Sequence, residues 1–240
     1  MNFNQAVESV FHQVKPFVWR PYGVVHTVRM YLRREPLPDI PPDSPFIRSI
    51  RPDDVVLEAG TNIGGLTRIL SQRAKEVHTF EPNRKALDFA RKHFRGKKNV
   101  RFYCAAIGGS CGAFKLNIES DLSGSNSFHI TTDNLRNMRY RKQTEAEMLT
   151  VAEFVRASGM RPTVLVLDIE GEEGAALRGA EGFLPDRVFL ETHWVRKSDG
   201  SFASTLNECE GYLSERGYLV GRFADRGGYV WLSGVRLRGS

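Results

Sequence analysis

The apolar positions of this chain follow two rhythms. Short unbroken apolar runs alternate with longer stretches whose apolar residues return every three or four positions. The first kind predicts buried strands and the second predicts amphipathic helices. Residues 54–59 (DVVLEA) read as a strand, 64–75 as a helix, 76–80 as a strand and 83–94 as a helix. A third strand is predicted over 100–106. A small hairpin or edge strand follows over 108–118, where Gly108 and Gly109 precede alternating Phe114, Leu116 and Ile118. Residues 119–144 are polar and predict a loop or lid with some helix; 147–155 predict a strand end passing into a short helix. Then come a strand over 163–168 (TVLVLD), a helix over 173–184, a strand over 187–191 and a helix over 203–216. Residues 218–223 and 229–232 close the pattern as an antiparallel pair.

Strands that alternate with helices predict an α/β fold with a mostly parallel sheet and right-handed crossovers. In such sheets ligands bind beyond the carboxyl ends of the strands, so chemistry is expected immediately after each apolar run. Residues 1–44 differ. Val7, Val10, Phe11 and Val14 repeat at helical spacing before Pro16, and a second, basic helix is expected over 22–34. A proline-rich linker follows (Pro36, Pro38, Pro41, Pro42, Pro45). The expected division is an N-terminal helical extension and linker, 1–44, and one catalytic domain, 45–240. The extension is read as a cap over the core, with peripheral membrane contact as the alternative.

Composition adds bounds. At 240 residues, 41% apolar and 26% charged, the chain suits one globular α/β domain with an extension. No apolar run is long enough for a bilayer and the first residues lack a secretory pattern, so a cytoplasmic protein is expected. Cys104, Cys111 and Cys209 share no metal or redox spacing and read as free thiols. The net charge of +6 favours polyanionic partners. The basic run Arg136, Arg139, Arg141 and Lys142 reads either as a clamp on an anionic acceptor or as a solvated helix face.

The candidate chemistry lies at the strand ends. The first strand runs into Glu58-Ala59-Gly60-Thr61-Asn62-Ile63-Gly64-Gly65. Asn62 occupies the middle glycine of a dinucleotide fingerprint, where a pyrophosphate needs bare backbone. That argues against NAD and for a cofactor without a phosphate. Glu81 follows Gly60 by 21 residues, the spacing of an acid that holds ribose hydroxyls, although it can also cap the next helix. Acids at both strand ends suit a sulfonium cation. Asp168 and Glu170 lie two apart after one strand, and Glu191 and His193 two apart after the next. Period-two spacing points each pair to one face, so four polar groups converge if the strands are neighbours. His193 or Asp168 is then a candidate general base, oriented by Glu170 or Glu191. A second reading gives these four residues a divalent metal. In a third, Glu170 is a helix cap and His193 a surface residue.

Five segments, VVLEAGTNIGGLT, VHTFEPNRKALDFARKHF, NVRFYCAAIGG, VLVLDIEGEEGAALRGAEGFL and VFLETH, resemble the FkbM-type methyltransferases in order and spacing over about residues 54–193. The resemblance implies a Rossmann-like class I methyltransferase, with a mostly parallel seven-stranded sheet and an antiparallel last strand. It implies S-adenosylmethionine as cofactor and, usually, O-methylation of a sugar or polyketide hydroxyl. Carried onto this chain, Glu58, Gly60, Thr61, Asn62 and Gly64 line the methionine end, and Glu81 holds ribose beside Pro82 and Asn83. Ala105 and Ala106 border the adenine, Ser125 and Ser127 supply a serine-bearing loop, and Asp168 flanks the cofactor. Two positions depart from the family pattern: Glu58 stands where Asp is usual, and Val166 where a lysine is frequent.

The expected activity is therefore O-methylation of a hydroxyl on a sugar, glycolipid or other small metabolite, anionic acceptors included. The rivals are a nucleic-acid methyltransferase and a non-catalytic cofactor-binding module. The basic charge favours nucleic acid. No Asn-Pro-Pro-Tyr-type motif follows the fourth strand, however, and no cysteine is placed for attack on a base. Tyr140 and Trp194 are candidates for stacking on the acceptor.

Overall fold

The computed structural model describes residues 40, 44–131, 142–224 and 230–236. The expected N-terminal helices and most of the proline linker lie outside these residues, as do Tyr140 and all of the basic run except Lys142.

The apolar run of β1 (Val55–Ala59) is buried almost throughout because it sits at the centre of a sheet. Helix α1 (Pro45–Ser49) precedes it, with Ser44 as N-cap and Pro45 in the first turn. After β1 come α2 (Gly65–Arg73), β2 (Glu76–Phe80), α3 (Arg84–His93) and β3 (Val100–Tyr103). Asn83 starts α3 by accepting a hydrogen bond from the Lys85 N–H, 3.1 Å. A smaller sheet then forms from β4 (Ala106–Ile107), β5 (Gly112–Ile118) and β6 (Lys142–Leu149), in the order β4-β6-β5. Helix α4 (Val151–Ser158), β7 (Val164–Leu167), α5 (Glu173–Gly179) and β8 (Arg187–Glu191) return to the main sheet. A short hairpin, β9 (Trp194–Arg196) with β10 (Phe202–Ser204), leads into α6 (Thr205–Glu215) and the final pair β11 (Tyr218–Ala224) and β12 (Val230–Arg236).

The main sheet has seven strands in the order β11-β12-β8-β7-β1-β2-β3. β1, β2, β3, β7 and β8 pair in parallel. β12 runs antiparallel to both β8 and β11, since it returns from β11 as a hairpin and inserts between them. Strand order reverses between β1 and β7, so the loops after these two strands diverge and leave a crevice at their carboxyl ends. Alternate residues of each strand feed two cores. Leu57, Phe80, Leu165 and Leu190 face Phe154 of α4, Leu177 of α5 and Leu213 of α6. Val56, Val77, Val164 and Phe189 face Phe46 of α1, Leu70 of α2 and Phe94 at the end of α3.

The opposite end of the sheet is held by charge. Asp54, 2% exposed, accepts the Thr163 hydroxyl at 2.7 Å and the Arg51 N–H at 2.7 Å, and it pairs with Arg187. Arg187 also donates to the Ser49 carbonyl at 2.7 Å, tying α1 to β8. Burial raises the Asp54 pKa, but Arg187 and the hydrogen bonds outweigh it and hold the carboxyl below the usual range.

Several boundaries differ from expectation. The strand expected over 100–106 breaks at Cys104 and Ala105, and its remainder joins the small sheet. The edge strand near 108–118 pairs with β6 from far along the chain, in the register Gly112 to Met148, and not within a local hairpin. Helix α5 ends at Gly179, whose missing Cβ makes room for the Gly108 carbonyl oxygen 2.5 Å from where it would stand. Ala203 lies in β10, and α6 starts after the Ser204 cap.

Candidate active site

The turn after β1 is fixed by close approach. A Cβ at Gly60 (φ +96°) would lie 1.8 Å from the Asp168 carbonyl oxygen, so only glycine lets the ends of β1 and β7 meet here. The Gly60 and Thr61 N–H groups both donate to the Phe80 carbonyl, at 3.0 and 3.1 Å. Asn62 follows with φ +46°, a strained conformation for a side-chain-bearing residue. Its N–H donates to Glu81 Oε2 at 2.8 Å, and the Asn83 N–H donates to Glu81 Oε1 at 2.8 Å. The Glu81 carboxylate therefore bridges two loops and keeps unused lone pairs on both oxygens.

Glu58 takes a different position. It is 1% exposed, on the face of β1 toward α2, and accepts the Thr67 hydroxyl at 2.7 Å through Oε2. Its Oε1 is buried without a hydrogen-bond partner, as is Asn62 Oδ1. Burial pushes both Glu58 and Glu81 up to about 7; hydrogen bonds oppose the shift and the charge of Asp168 adds to it. The charge of Asp168 thus acts on both buried carboxylates around one glycine turn. No cation among the described residues figures in the shift of Glu58 or Glu81.

β7 and β8 are adjacent and parallel, with Leu167 beside Leu190, so the residues after them meet. His193 is 3% exposed. Its Nδ1 bonds Glu173 Oε1 at 2.9 Å, and its Nε2 lies 3.7 Å from both Glu170 Oε1 and Glu191 Oε1. Ligand atoms of Asp168, Glu170 and His193 all fall within 4.8 Å of one another. Burial lowers the basicity of His193, but Glu173, Glu170 and Glu191 outweigh it, and its pKa stands well above the ordinary histidine value. Glu173, fully buried, is held below its ordinary value: burial opposes this, and the charge and hydrogen bond of His193 prevail.

Two expectations need correction here. Glu170 does not share a face with Asp168 through strand periodicity. β7 ends at Leu167, and Glu170 sits in a left-handed turn (φ +54°) before Gly171 (φ +109°). That turn brings its carboxylate back to the cluster. His193 is not a surface residue, because Thr205 pins its backbone in both directions, at 3.0 and 2.8 Å.

The segment after β5 covers the glycine turn. Asn83 Nδ2 donates to the Asp121 carbonyl at 2.9 Å, and a Cβ at Gly124 would lie 3.1 Å from Asn62 Nδ2. Ser125 lies in this segment, and its N–H donates to the Ser123 hydroxyl at 3.1 Å. Ser127, 1% exposed, donates to the Glu170 carbonyl at 2.7 Å and so braces the strained turn. Thr61 turns its hydroxyl inward, to Thr79 at 2.5 Å. Gly64 (φ +92°) starts α2 with no side-chain cap, and Pro82 carries the chain from Glu81 to Asn83. Ala105 is buried in the core against α4 and α5, and Ala106 pairs with Met148 in the small sheet.

Two residues of the cluster lie outside the sequence-derived set. Glu173 was read only as the start of a helix, and His129 was not singled out; His129 Nε2 meets Glu172 Oε2 at 2.5 Å. The run Glu170-Gly171-Glu172-Glu173 carried a signal. Three acids at a helix start exceed what capping needs, and in the fold Glu172 pairs with His129 while Glu170 and Glu173 both face His193.

Comparison with known proteins agrees with this fold. A methyltransferase FkbM from Methylobacillus flagellatus aligns over 94% of this chain with a TM-score of 0.52 and 16% identity. The chain spans 58% of that protein. An S-adenosylmethionine-dependent methyltransferase from Aquifex aeolicus aligns over 99% of this chain and all of its own, with a TM-score of 0.47 and 10% identity. No curated protein matches in sequence. The fold is that of class I methyltransferases, and the methyltransferase FkbM domain model matches residues 58–220, more than half of the chain. The chain belongs to the FkbM family of S-adenosylmethionine-dependent methyltransferases.

Proposed function

We propose that this methyltransferase acts on oxygen, methylating a hydroxyl of a sugar, glycolipid or other small metabolite. The observation that carries the reading is the meeting of Asp168, Glu170 and His193 within 4.8 Å of one another, beside the Gly60 turn. Proton-handling groups at that place serve a nucleophile that must lose a proton, as an alcohol must.

The residues fit the cofactor. Glu81 offers lone pairs on both oxygens to the two ribose hydroxyls. Asn62 Oδ1, buried and without a partner, suits the ammonium of the methionine part. Glu58 lies behind the turn and acts by charge; together with Glu81 and Asp168 it supplies a negative field for a sulfonium. S-adenosylmethionine brings a methyl group already activated on positive sulfur; its S–CH3 bond breaks in line as the new O–CH3 bond forms, leaving a neutral thioether. What remains for the protein is alignment, exclusion of water and acceptance of one proton. We assign the proton to Asp168. His193 is committed through Nδ1 to the buried Glu173 carboxylate, which orients the ring, so it does not serve as the resting base. Trp194, half exposed and directly after His193 in the chain, offers an aromatic face on which a sugar ring can stack.

Untargeted comparison of glycans, lipids and metabolites from cells with wild-type protein and with Asp168→Asn tests this. The expected result is a species one methylene heavier that depends on Asp168, with the methyl on oxygen. Methylation found on a nucleobase or on nitrogen would overturn it.

A further inference from the structure

We infer that Asp168, Glu170 and His193 form a site for one divalent cation of the magnesium–manganese class, with Glu173 positioning the histidine. The inference deepens the O-methylation reading and rests on it for its purpose, but not for its geometry.

The three ligands come from separate pieces of backbone: the end of β7, the left-handed turn after it, and the segment after β8. Their ligand atoms come within 4.8 Å of one another, and one of the three is a buried imidazole. His193 gives the independent sign. Its Nδ1 is committed to Glu173, so the ring presents Nε2 to the carboxylates. That nitrogen belongs to a side chain only 2% exposed and is aimed into the cluster, yet its nearest carboxylate oxygens lie 3.7 Å away. This is too long for a hydrogen bond. Adjacent donors on an octahedral cation, at roughly 2.1 Å each, stand about 3 Å apart, so binding would draw these groups together by less than about 1 Å. A histidine whose other nitrogen is fixed by a buried carboxylate is the usual arrangement around a metal. Glu173, fully buried, also leaves its Oε2 without a partner.

The donor set, carboxylates with one imidazole and no thiolate, selects manganese or magnesium over a structural zinc. A cation here acidifies an acceptor hydroxyl bound to it. Asp168, ligating through one oxygen, keeps the other for the proton.

The test is titration of the chelator-treated full chain with manganese chloride, following free Mn2+ by electron paramagnetic resonance. One Mn2+ per chain is expected. Asp168→Asn and His193→Gln should each weaken binding by roughly tenfold or more, and Glu173→Gln, outside the first contacts, by about tenfold. A cooperative thermal melt like that of wild type shows that a variant is folded. For wild type alone, Mn2+ should broaden the resonance of a carbon-13 methyl on bound S-adenosylmethionine, and Mg2+ should not. Absence of Mn2+ binding at millimolar metal, equal binding by all three variants, or no broadening would each overturn the site. Mn2+ binding at these residues without adenosylhomocysteine binding would leave the cation site standing and remove the methyl-transfer reading.

Discussion

Glu81 is the residue on which cofactor affinity turns. Both its oxygens already accept backbone N–H groups, so it arrives pre-oriented for the ribose. Glu81→Gln should weaken adenosylhomocysteine binding by about 1.5–3 kcal/mol, roughly tenfold to a hundredfold, read by calorimetry. Its ionisation adds a pH signature. The pKa of Glu81 in the free protein is about 7, and ribose hydroxyls bind the ionised form. Affinity should therefore rise with pH through neutrality and flatten above it, and Glu81→Gln should remove that slope. Stability of the free protein should run the other way. Glu58 and Glu81 are raised from 4.5 to about 7, so between those values the folded chain holds more protons than the unfolded one. Their contribution to stability is full below pH 4.5 and falls as pH rises toward 7. Thermal melts across that window check the sign. At this scale Glu81 was legible because its distance from Gly60 reports two strand ends. Glu173 was not, because its partner His193 lies 20 residues away and only the pairing of β7 with β8 brings them together.

At the scale of elements, the site depends on β1 and β7 ending in contact. Gly60→Ala places a methyl group against the Asp168 backbone and demands a positive φ, so no side-chain movement relieves it. It should destabilise the fold by at least about 1–3 kcal/mol and abolish adenosylhomocysteine binding, measured by denaturation and calorimetry. The far end of the sheet offers a contrast. Asp54→Ala strands Arg187 beneath α1 and should cost about 3–5 kcal/mol of stability, with little change in cofactor affinity among molecules that remain folded. Strands β2 and β8 were readable to the residue because an apolar run bounded by turn residues defines them locally. The β5–β6 pairing was not, since it joins segments about thirty residues apart and depends on cross-strand register. The β9–β10 hairpin is too short for a periodic signal.

For the whole molecule, the reversal of strand order between β1 and β7 sets where chemistry occurs. The cofactor turn lies on one side of that crevice and the carboxylate–histidine cluster on the other. The fold was legible because order, spacing and alternation all pointed to one topology. The acceptor was not, because the surface that meets it is built from loops without periodic pattern. Trp194, exposed and next to His193 in the chain, can report on it. Trp194→Ala should raise KM for the acceptor several-fold while leaving adenosylhomocysteine affinity within error. Among the described residues no helix is long and apolar enough to cross a membrane.

A crystal structure with adenosylhomocysteine tests the account most directly. Its ribose should rest on Glu81, its amino group near Asn62, and its sulfur should face Asp168 and His193. A ligand bound elsewhere, or the crevice beyond Gly60 filled by the protein's own side chains, would contradict it.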